Sequence, residues 1–94
     1  HSLLNRETLE EYLTAYRTRT EWLGGLFPES GAVWRYFEWS FMISMVEKIT
    51  RLEIPGCETE LAAMKAELRA NRETFLNAPE ILDFEKDWMG EYIV

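Results

Sequence analysis

Acids are the commonest chemically competent groups in this chain, so their spacing is the first test for catalysis. Glu7, Glu10 and Glu11 cluster near the N-terminus, and Glu58 and Glu60 flank a later turn. A carboxylate-bridged pair of metal ions in a helical bundle needs Glu-x-x-His motifs on two helices. No histidine follows these acids, because the one histidine is His1. They read instead as solvated charges at helix starts, where the helix dipole favours them. Cys57 follows Pro55-Gly56 near an expected helix start, a setting that can lower a thiol's pKa and favour nucleophilic attack. A Ser-His-Asp or Cys-His relay would have to use His1, and a residue left from an expression tag explains His1 and Ser2 equally well. Neither G-x-x-x-x-G-K-[ST] nor G-x-G-x-x-G occurs. The expectation is therefore no catalytic, cofactor-binding or metal-binding residue, with Cys57 a structural thiol.

The 94 residues fit a single domain, 1–94, and 47% hydrophobic with 14% aromatic residues is a globular composition. A chain this short needs a dense core, and its four Trp, four Tyr and five Phe supply large side chains for one. Ten basic residues stand against 17 acidic, a net charge of -7. Phosphate recognition needs clustered Lys and Arg, so nucleic acid is excluded as a general partner and anionic lipid is disfavoured. The charge serves to keep an aromatic-rich domain in solution. A lone cysteine permits no internal disulfide, and no signal-peptide pattern is seen. Both lead to the expectation of a cytoplasmic protein.

Periodicity predicts four helices and no strand. In the first, over 6–23, Leu9, Tyr12, Leu13, Tyr16 and Leu23 form an apolar stripe with Thr20 as a polar gap. Asn5 suits the N-cap, Arg17 and Glu21 are spaced to pair, and Gly24-Gly25 should end the helix. A second helix over 31–52 follows Ser30 as cap and stops at Pro55-Gly56. It is apolar around most of its circumference, with Arg35, Glu38, Ser40, Ser44, Glu47, Lys48 and Arg51 as a narrow wet strip. A helix of that kind is usually the central one. The third, over 58–76, carries Leu61, Met64, Leu68 and Phe75 among small alanines. The fourth, over 79–90, has Asn77 as cap and Pro79 in its first turn, buries Ile81, Phe84, Trp88 and Tyr92, and fades at Gly90. The fold class is all-α: a small antiparallel bundle of three long helices plus a shorter C-terminal one.

The segment Trp34–Ile49 concentrates five aromatics in its first eight residues. Only eight residues separate Glu38 from Glu47, well short of the roughly 20 apolar residues that span a bilayer. An apolar pocket lined by Trp34, Phe37, Trp39, Phe41 and Met45 would need convergent polar groups, and none is evident. Core packing comes first and a partner surface second. Trp34 and Phe41 share one face while Trp39 projects from another, and the two cannot meet the same neighbouring helix. Trp34, Trp39, Phe41 and Trp88 are the candidate partner-binding residues.

"NRETLEEYLTAYRTRTEWL" (Asn5–Leu23) resembles the helix that follows the catalytic domain in bacterial family 2 glycosyltransferases. "LRANRETFLNAPEILDFEKDWMGEYIV" (Leu68–Val94) is similar to the ends of those enzymes, which run from a basic helix through Leu-x-Asn-Pro to a last apolar helix. Those tails are often lysine-rich, whereas this chain is acidic, and Ala78 intervenes before the proline. The resemblance implies a C-terminal fragment of a larger enzyme, without the Asp-x-Asp metal motif of its α/β catalytic domain. Its role would be to pack on that domain or to mediate assembly, a homodimer included. The alternatives are a free-standing acidic regulatory module and, third, a small-molecule sensor built on the aromatic cluster.

Overall fold

Asn5 opens the first helix. Its side-chain oxygen accepts from the Thr8 N–H at 3.1 Å, and the Thr8 hydroxyl accepts from the Asn5 N–H at 2.9 Å. Two otherwise orphaned donors are thereby satisfied reciprocally. A computed structural model describes residues 4–93, apart from the side chains at positions 30 and 31. His1 therefore lies outside the described residues, and the expected Ser30 cap outside the described side chains.

Helix α1 spans Arg6–Leu26, so Gly24-Gly25 do not end it. Neither glycine has positive φ, and Phe27 closes the helix by donating its N–H to the Leu23 carbonyl at 2.9 Å. Packing of α1 on its neighbours outweighs the cost of roughly 1 kcal/mol per helical glycine. A Cβ at either position would meet nothing within 4 Å. Gly24→Ala and Gly25→Ala should therefore each stabilise the protein by about 0.5–1 kcal/mol, read as a higher urea midpoint with unchanged slope. The polar gap at Thr20 is closed locally, its hydroxyl donating to the Tyr16 carbonyl at 2.5 Å.

A short 3-10 turn, Pro28–Ser30, leads into α2, Gly31–Arg51. Its end precedes Pro55-Gly56. Glu53 takes a left-handed backbone (φ 51), the Glu53 N–H reaches the Thr50 carbonyl, and the Ile54 N–H reaches the Ile49 carbonyl. That pattern recovers the last carbonyls of the helix and lays Ile54 back against it.

The long third helix predicted over 58–76 is two helices, α3 (Glu58–Ala70) and α4 (Arg72–Asn77). Between them the Asn71 side-chain amide donates to the Glu67 carbonyl at 2.8 Å. A short polar side chain offering the backbone such a bond competes with helix continuation. The last helix, α5, is Asp83–Tyr92, later at both ends than predicted. Pro79 lies in a turn, and Ala78 before it is extended, as a residue preceding proline prefers. Glu85 sets the start by accepting the Leu82 N–H at 3.0 Å. Gly90 does not interrupt it, because Arg72 of α4 donates to the Ile93 carbonyl at 2.8 Å and secures the final turn. Phe84, expected inside, is exposed, whereas Ile81, Met89 and Ile93 are buried.

Cross-helix contacts give the directions. Tyr16 and Arg17 meet Phe41 and Glu38, so α1 and α2 are antiparallel. Arg6 and Arg17 approach Glu60 and Glu67, so α1 and α3 run the same way. With α4 continuing α3 and α5 returning, the described residues form an up-and-down all-α bundle of four columns built from five helices. Helix α2 touches α1, α3 and α5, and its Met42, Ile43, Val46 and Ile49 form the centre of the core. The predicted central helix is in the predicted place.

Candidate functional site

The four candidate aromatics occupy different surroundings. Trp39 is 5% exposed, within the core, and its indole N–H donates to Glu67 Oε2 at 3.1 Å. Phe41 is half-buried under α1, stacked on Tyr16 with ring centroids 4.5 Å apart. Trp34 is half-buried and tilted against exposed Phe37 at 5.8 Å, and its buried N–H has no acceptor among the described residues. Trp88, also half-buried, meets exposed Phe84 edge-on at 5.0 Å.

The polar strip assigned to α2 is wet only in part: Arg35, Lys48 and Arg51 are exposed, but its two acids are not. Glu38 and Glu47 are 6% and 7% exposed, and Glu85 of α5 is equally buried. Each has a partner, as burial of a charge requires. Glu47 pairs with Arg51 at 2.5 Å, and Glu85 accepts the Ser40 hydroxyl from α2 as well as its own helix-start N–H. Glu38 faces Arg17 of α1, whose Nε lies 3.5 Å from Glu38 Oε1 and whose Nη2 lies 3.8 Å from Glu67 Oε1 of α3. Arg17 thus spans three helices, and the Arg17–Glu21 pair expected along α1 gives way to this longer-range one. Burial pushes the Glu38 carboxyl above its ordinary 4.5, against the pull of Arg35, while Glu67 adds to the rise and Arg17 opposes it.

Beside this group a cleft of about 390 Å³ opens, with Glu21, Gly24 and Arg35 on its walls. Its charges act on one another. The oxygens of Glu67 are divided between Arg17 and Trp39, and the Thr20 hydroxyl on the same wall is turned to the Tyr16 carbonyl. The arrangement is an electrostatic clasp holding α1 to α2 and α3. Among the described residues no three His, Cys, Asp or Glu side chains gather as a metal site requires. Cys57 is 1% exposed, and burial first, then Glu60 and Glu58, raise its thiol pKa, opposite to the lowering expected at a helix start. No helix among the described residues is long and apolar enough to cross a membrane.

One surface was missed by sequence reasoning. Trp22 is 64% exposed, Leu26 53% and Phe27 51%, with Tyr12 also exposed. Tyr12, expected in the inner stripe, lies instead with Ala15, Arg19, Trp22 and Leu26 on one flank of α1, roughly 100° around the helix from Leu9, Leu13 and Tyr16, which meet the core and Phe41. The same 3.6-residue spacing that revealed the inner stripe carries this outer one. Comparison with protein-family models, with characterised proteins and with solved structures finds no match to this chain.

Proposed function

We propose that this chain is a non-catalytic helical interaction domain, accessory to a larger glycosyltransferase-like enzyme, and that the outer flank of α1 is its working surface. The observation that carries the docking role is the exposure of Trp22, Leu26 and Phe27 within one turn and a half of helix end. Large aromatic and aliphatic side chains clustered in water mark interaction sites, and Trp is prominent among residues that dominate binding energy. The enzyme context rests on the resemblance of Asn5–Leu23 and Leu68–Val94 alone. In that context the domain packs on the catalytic domain or joins copies of the enzyme, and the chemistry belongs to residues outside this segment. A free-standing acidic regulator of a basic partner is the second reading, favoured by the net charge of -7.

The coding sequence around this segment tests the context: an α/β domain bearing Asp-x-Asp upstream supports it, and its absence sinks the glycosyltransferase form. The docking role is tested by titrating the chain with that separately produced upstream domain. Trp22→Ser combined with Leu26→Ser should abolish binding while leaving the helical circular dichroism and melting temperature unchanged. Binding indifferent to both substitutions would refute the assignment of the surface.

A further inference from the structure

We infer that the outer flank of α1 is a self-complementary surface that pairs antiparallel with α1 of a second copy. This rests on the docking role proposed above and names its partner. The flank has two halves of opposite character, which adjoin at Ala15. Toward the N-terminus a depression of about 560 Å³ is lined by Glu7, Glu10, Glu11 and Thr14. Toward the C-terminus a depression of about 540 Å³ is lined by Thr18, Arg19, Trp22 and Leu23. Neither Glu11 nor Arg19 has an ion-pair partner among the described residues, whereas Arg6 and Arg17 are both engaged.

A helix acidic in one half and apolar with a free guanidinium in the other is complementary to itself when reversed. A two-fold contact of this kind satisfies each pair twice. With the axis at position 17, Tyr12 lies opposite Trp22 of the second copy and Ala15 lies opposite its Arg19. Glu11 is one helical turn from Ala15 on the same face, so the guanidinium passes over the small alanine to reach that carboxylate. Parallel pairing would set acid against acid, and a basic partner would leave Arg19 opposed. The register joins about 27 Å of helix, which places the interface at the small end of stable ones.

Sedimentation equilibrium of the chain over roughly 10–500 µM tests this, because a small interface is populated most fully at high concentration. The expected result is a reversible monomer–dimer equilibrium. Trp22→Ser with Leu26→Ser should leave a folded monomer. Arg19→Glu alone, or Glu11→Arg alone, should weaken dimerisation about tenfold, since each change acts at two symmetric pairs. The two together should restore it. A strict monomer at every concentration overturns the inference, as does a dimer indifferent to Trp22 or a double charge variant no better than the singles. If the monomer still binds the upstream domain through Trp22, the second copy is refuted and the docking role stands. If Trp22 affects neither association, both fall.

Discussion

Phe75→Ala should remove about 3–5 kcal/mol of stability, seen as a large fall in the urea midpoint of a transition that stays cooperative. Domains of this size hold roughly 5–15 kcal/mol in total, so the variant sits near the edge of folding. The reason lies in α4 as much as in the ring. Six residues, Arg72–Asn77, are far below the length at which a helix persists alone in water. Phe75 is its one fully buried side chain, in the core with Leu68, Ala78 and Ile81. Removing it leaves a cavity and also frees the segment from which Arg72 secures the end of α5. Leu76→Ala, one position along at a half-buried site, should cost distinctly less. A loss below about 1 kcal/mol for Phe75→Ala would show that α4 is not docked as described.

Phe75 also shows what local pattern can and cannot convey. Its place on an apolar stripe was legible, because helical spacing depends only on the chain's own repeat. The break at Asn71 that aims it inward was not, since asparagine caps, turns and helix interiors look alike until the Glu67 carbonyl is seen to accept its amide. The same division runs through the molecule. The start of α1 at Asn5 and the extent of α2 follow from caps and all-round apolarity, and both were readable. The passage of α1 through Gly24-Gly25 and the late start of α5 at Asp83 depend on neighbours that periodicity does not name. For the site the limit is sharper. Trp39 and Trp22 are equally apolar, yet one is in the core and the other in water, because a helix has several faces and only assembly decides which are covered. Glu38 and Glu47 read as a wet strip for the same reason. Arg17 had a plausible partner four residues away, and the structure gives it two distant ones instead.

That clasp yields a sharp contrast between two substitutions. Arg17→Ala should destabilise by about 1–3 kcal/mol, whereas Glu38→Gln should be close to neutral or stabilising. Glu38 is almost wholly buried, so losing its cation leaves a desolvated charge with Arg35 as its remaining support. The cost stays below the 3–5 kcal/mol typical of a broken buried pair because Arg17 itself is half-exposed to solvent. Glutamine removes the charge that made the arginine necessary. If the two residues act together, Arg17→Ala made in the Glu38→Gln background should cost less than in the wild type. The pH dependence follows from the same carboxyl. Its folded pKa lies above the unfolded 4.5, so between these values the native state holds the extra proton and stability falls as pH rises. Mild acidification should therefore stabilise the wild type relative to Glu38→Gln. In Arg17→Ala the slope should extend to higher pH, because the cation that opposed protonation is gone. Stability curves for the three proteins that run parallel with pH would mean that Glu38 is hydrated rather than buried, and that α1 is held to α2 and α3 by its apolar stripe alone.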